Sequence, residues 1–160
     1  MDIDEDAILA RELARVGAVG GFAGGLVPGA IGGYLGGKLA ARYLPTETFN
    51  TSLHVPADAS ETLHAAFQVL QRLGRISTDA ADDSPLPRLS AVIGSGALGM
   101  NPTIIVITVS PVSDSESSVV IAGAAKEGLI KQHSAERAVK RVTEMLVKSY
   151  PASTTGTSAV

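Results

Sequence analysis

The sequence predicts an α+β domain of order β-α-β-β-β-α: a four-stranded, mainly antiparallel sheet with two helices on one face, preceded by a glycine-rich helix or helical hairpin. Three observations predict it. Residues 48–55 alternate apolar and polar with period two, two stretches carry apolar residues at helical spacing between recognisable caps, and three apolar runs after residue 88 are joined by short turn-like connections. Two amphipathic helices must bury their stripes against something, and one face of the sheet is the economical answer. The 160 residues hold one such domain and an appended segment.

In order, Phe49, Thr51, Leu53 and Val55 alternate with Asn50, Ser52 and His54 as a half-buried strand that Pro56 stops. Asp58 precedes Glu61 by three residues, a capping-box spacing. Leu63, Ala66, Phe67, Leu70 and Leu73 then recur at helical spacing, and Gly74 stands where a left-handed residue ends a helix. Residues 75–87 read as loop, opening with a short extended piece at 75–78. Strands follow at 88–97, 103–112 and 117–125, with turns at 99–102 and 113–116. The last helix, about 133–150, gathers Ala135, Ala138, Val139, Val142, Met145 and Leu146 on one stripe. The sheet's second face is then left uncovered, and Ser90, Val92, Gly94 and Gly96 line one side of a strand as a possible face for a protein or an apolar ligand.

By composition the chain divides into an acidic, amphipathic N-terminal helix (1–15, with Ile8, Leu9, Leu13 and Val16 apolar), a glycine-rich segment (16–44), the α+β domain (48–150) and a small polar tail (151–160) expected to be disordered. No cysteine means no disulfide framework, thiolate zinc site or cysteine nucleophile. A net charge of −3 and 4% aromatics argue against nucleic acid as a partner and against stacking platforms. Hydrophobic residues at 45% with 18% charged lie on the apolar side of average.

The glycine-rich segment is the most regular feature. Gly17, Gly21, Gly25, Gly29, Gly33 and Gly37 repeat every four residues, and Gly20, Gly24, Gly32 and Gly36 run beside them. On a helix this makes a bare stripe along which another backbone can lie closely. Ten interior glycines forfeit on the order of 8–10 kcal/mol of helix propensity, so packing must offset the loss. Residues 16–35 are uncharged and about long enough to cross ~30 Å of hydrocarbon, where small-xxx-small stripes associate helices. Pro28 makes either a kink or the turn of a hairpin (16–27 and 30–44), whose twelve-residue first half is too short to cross alone. Basic residues flank the segment equally, so orientation is not readable.

Residues 16–38 resemble the glycine-zipper segments of bacterial envelope and pore-associated proteins. The resemblance implies a bacterial membrane setting and self-association through the stripe; it carries no catalytic residue.

The remaining motifs read as structure. Gly94-Ser-Gly96-Ala-Leu-Gly99 matches G-x-G-x-x-G, but a strand rather than a helix follows, so no N-terminus is offered to a pyrophosphate. Ile93 and Ala97 break the nucleophile-elbow pattern around Ser95. Gly32 to Lys38 imitates a P-loop but places Leu39 where Ser or Thr must hold magnesium. His54, His64 and His133 are too dispersed for a metal triad, Asp79, Asp82 and Asp83 lack EF-hand spacing, and Lys126, Glu127 and Lys131 read as a solvated surface that could meet anionic lipid.

No catalytic, cofactor-binding or metal-binding residue is therefore expected, and no cofactor. The leading expectation is a non-enzymatic, membrane-associated, self-associating protein that displays a small binding domain, with lipid and its own copies as partners. The alternative is a soluble, cytoplasmic homo-oligomer whose glycine helices pack in a protein core and which binds a partner or apolar ligand on the open sheet face. A third reading, an enzyme working at Ser95, His54 or the 79–83 loop, requires a pocket joining two of those groups.

Overall fold

The alternation ahead of Pro56 does form the first strand. In the computed structural model of the chain, which describes residues 8, 9, 11, 12, 43–77, 86–95, 101–127 and 132–150, β1 runs Thr46–Val55 and its residues alternate in burial along its length. There follow α1 (Ala59–Leu73), β2 (Arg75–Ile76), β3 (Arg88–Ser95), β4 (Asn101–Ser113), β5 (Glu116–Lys126) and α2 (Ser134–Lys148). The sheet order is β1-β5-β4-β3-β2, and every neighbouring pair is antiparallel.

The sheet thus has five strands, not four. The extra one is the short extended piece after α1, which pairs Arg75 with Val92 and Ile76 with Ala91 at the edge beyond β3. Two residues are too few to show periodicity, so only pairing reveals the strand.

Asp58 caps α1, its Oδ1 accepting from the Glu61 N–H at 2.8 Å. Gly74 ends the helix, but in an extended conformation (φ −167°) rather than a left-handed one. Its need for glycine is spatial: a Cβ there would lie 2.2 Å from the Val92 carbonyl oxygen. Gly123 on β5 serves likewise, since a Cβ would meet Val139 Cγ2 at 2.7 Å, so α2 sits directly on the bare strand. Against that face Ala66, Val69 and Leu70 of α1 and Ala138, Val139, Val142 and Leu146 of α2 pack on Ile93, Ile105, Ile107, Val109, Val119 and Ile121. The two helices and one sheet face share this core, as the stripes require.

Candidate functional site on the second face of the sheet

Antiparallel register fixes what the other face carries, because directly paired residues share a face. Ser90 pairs with Val106, which pairs with Ala122; Val92 pairs with Ile104, which pairs with Ala124; Gly94 pairs with Pro102. All of these point away from α1 and α2. The sequence reading left this face uncovered. Instead, Ile8 and Leu9 pack on Ile104, Val106, Ala124 and Val92 in a second apolar cluster, Leu9 with no solvent exposure. Ser90 is buried and Val92 half-buried, while Gly94 is exposed. Residues 8, 9, 11 and 12 are helical, and the Glu12 carboxylate is held at 2.5 Å by the guanidinium of Arg75 at the β2 edge. The face is therefore closed at its centre by the chain's own N-terminal part.

Burial dominates this docking. Removing a leucine side chain from water is worth about 1.5–3 kcal/mol. The ion pair, with Arg75's side chain 56% exposed, belongs to the class worth under about 1 kcal/mol.

The sequence held both halves of this contact without joining them. Ile8, Leu9 and Leu13 form an apolar stripe that needs a partner. Residues 104–107 (Ile-Ile-Val-Ile) form a continuous rather than alternating apolar run, the mark of a strand covered on both sides. Ile104, Ile105, Val106, Ile107 and Val109 are all buried accordingly. β1 alternates because its second face, with Thr46, Thr48, Asn50, Ser52 and His54, lies in solvent.

At one end of the sheet the 126–127 pair departs from the solvated surface the sequence suggests. Lys126 is buried and its Nζ donates to Thr46 Oγ1 at 2.8 Å. Glu127 is buried too, its Oε1 accepting from the Ser134 N–H at 2.9 Å and its Oε2 from the Gln132 N–H at 2.5 Å. Burial works to raise this carboxyl, but those two N–H groups, the Ser134 hydroxyl and the neighbouring Glu47 outweigh it and hold the pKa below the ordinary carboxylate value.

The other residues singled out in the sequence do not converge. Ser95 pairs with Asn101 at one end of the sheet, and His54 with Ser118, which faces Ser110, at the other, about 30 Å away along the strands. His64 lies exposed on α1 against Gln68 at 2.9 Å. The next described element after β3 is the antiparallel strand β4, not the helix whose N-terminus a pyrophosphate site requires. Gly17, Gly21, Gly25, Gly29, Gly33 and Gly37, as well as Gly96, Asp79, Asp82, Asp83 and the tail 151–160, lie outside the described residues. Among the described residues, no helix is long and apolar enough to cross a membrane.

No protein-family model matches the chain, and neither does any curated protein. Among solved structures, the chain is similar to a protein from Bacillus thuringiensis (TM-score 0.38, 10% identity, over 65% of this chain and 96% of that one). It is similar to a conserved protein from Geobacillus kaustophilus (TM-score 0.37, 12% identity, over 65% and 92%). It is also similar to norcoclaurine synthase from Thalictrum flavum, solved with dopamine and hydroxybenzaldehyde (TM-score 0.38, 12% identity, over 71% and 91%). With TM-scores this low, these likenesses carry no conclusion about what the chain binds or does.

Proposed function

We propose that the protein is a non-enzymatic, self-associating module whose glycine stripe packs against protein, a second copy of the chain, rather than spanning a bilayer in one crossing. The observation that supports this is the seating of Leu9 and Glu12 on the sheet. Glu12 is tied to Arg75, and the row Arg75–Val92–Ile104–Ala124–Thr48 leads straight across the sheet to β1, just after the glycine segment ends. Both flanks of the segment thus belong to one sheet. A single crossing would put them on opposite sides of ~30 Å of hydrocarbon, which a rigid sheet cannot straddle.

Self-association through Gly17, Gly21, Gly25, Gly29, Gly33 and Gly37 offsets the propensity that ten glycines forfeit, because close backbone contact becomes available along the whole stripe. Of the Ser90, Val92, Gly94 and Gly96 strip, Val92 is then, with Ile104, Val106 and Ala124, an internal seat for the N-terminal residues, and an apolar ligand there would have to displace Ile8 and Leu9. The membrane reading keeps one observation in its favour: residues 16–35 are uncharged, and flanks on the same side suit a hairpin dipping into one leaflet.

The test is extraction of native membranes at alkaline pH together with cross-linking of a Gly25→Leu/Gly29→Leu variant. A protein-packed assembly is recovered without detergent, and the variant loses its cross-linked species. Detergent-dependent recovery returns the account to lipid, and unchanged cross-linking in the variant removes the glycine stripe from it.

A further inference from the structure

We propose that Glu47, His133 and Glu136 form a binding site for a borderline divalent metal ion, Zn2+ by its ligand chemistry. His133 Nδ1 stands 3.3 Å from Glu47 Oε1 and 3.7 Å from Glu136 Oε2, and one ligand atom from each residue lies within 4.8 Å of the others. Tetrahedral zinc with bonds of about 2.0–2.2 Å separates its ligands by about 3.3–3.5 Å. Two of the three separations are thus close to that geometry, with only side-chain adjustment left for the third.

The oxygens not facing His133 are already engaged. Glu47 Oε2 accepts from the Ala135 N–H at 2.9 Å, and Glu136 Oε1 accepts from Lys140 Nζ at 2.7 Å. Each carboxylate is therefore oriented by a protein donor and presents its other oxygen to the same point, as outer-shell partners do for metal ligands. His133 holds its ring there from a left-handed backbone (φ 51°), the single non-glycine positive φ among the described residues.

The buried Glu127 carboxylate lies beside Glu47 and adds a third acidic group to the neighbourhood. The carboxylates of Glu47, Glu127 and Glu136 outnumber the Lys140 ammonium that pairs with Glu136. A cation relieves that excess. One imidazole and two carboxylates suit zinc with water in the fourth position; Ca2+ and Mg2+ favour all-oxygen ligand sets, and the His133 nitrogen selects against them. The sequence could not show the cluster, because Glu47 comes from β1 and the other two from the start of α2.

Calorimetric titration of tag-free protein with Zn2+ tests the site, with thermal melting in parallel. The expected result is one equivalent bound and a raised Tm, with the affinity falling at least about tenfold in His133→Asn, whose side chain tolerates the left-handed backbone. Glu47→Gln, which keeps an acceptor for the Ala135 N–H, should weaken binding similarly, while His54→Asn/His64→Asn leaves it intact. Circular dichroism matching the parent keeps misfolding apart from ligand loss. No uptake by the parent, uptake unchanged in His133→Asn, or uptake abolished in His54→Asn/His64→Asn would each overturn the proposal.

Discussion

Glu12 and Arg75, 63 residues apart, meet carboxylate to guanidinium at the β2 edge of the sheet, beside the seat of Leu9 on Ile104, Val106, Ala124 and Val92. Since leucine burial outweighs a half-exposed ion pair, Leu9→Ala should release the N-terminal residues while Arg75→Ala loosens them only slightly. Limited trypsin digestion reads this at Arg11: cleavage there should accelerate about tenfold or more in Leu9→Ala, as expected for about 1.5–3 kcal/mol, and by less than about fivefold in Arg75→Ala, as expected for under about 1 kcal/mol. Equal acceleration would mean that the ion pair, not the apolar contact, holds the segment.

Thr62 on α1 and Ser117 on β5 are both fully buried and share a 2.7 Å hydroxyl–hydroxyl bond. Thr62→Val strands the Ser117 hydroxyl and should cost about 1–3 kcal/mol in denaturant unfolding. Ser117→Ala should cost less, because the Thr62 hydroxyl still neighbours Tyr150. The double variant should lose less than the sum of the singles. Simple additivity would show that the two hydroxyls are not coupled.

Gly123→Ala should destabilise the domain by about 1–3 kcal/mol, because the new methyl collides with Val139 and Ile105 and α2 must lift. Adding Val139→Ala frees room at the tightest contact and should recover part of the loss. If Gly123→Ala melts like the parent, α2 does not sit on the bare strand.

Glu127 sets a pH dependence whose sign is fixed. Its pKa is lowered in the folded chain, so its stabilisation is complete above the ordinary value of 4.5 and is lost as the pH falls through the lowered one. Unfolding midpoints measured between neutral and acid pH should decline in that acid window, and Glu127→Gln should remove part of the decline. A variant with the same acid sensitivity as the parent would show that other carboxylates carry it.

The elements were legible wherever local chemistry decided them. The alternation of β1, the Asp58 cap and the α2 stripe ending at Leu146 each express a period or a cap written within a few residues. What escaped depended on pairing across the chain. β2 exists only because Arg75 and Ile76 find Val92 and Ala91; Gly74 is glycine because of a carbonyl on β3. The second face looked open because the partner of Ile104 lies some ninety-five residues earlier, at Leu9. The Glu47–His133–Glu136 cluster escaped for the same reason.

The most direct measurement uses the chain's lack of cysteine. Spin labels placed through Arg11→Cys and Thr48→Cys, both exposed positions, report whether the N-terminal residues sit on the sheet. Layer and strand spacings put the two backbones about 20 Å apart, and pulsed electron resonance should return a narrow distribution near that value. A broad distribution, or one centred beyond about 35 Å as a bilayer between them would impose, would contradict the seating of Leu9 and the proposal built on it.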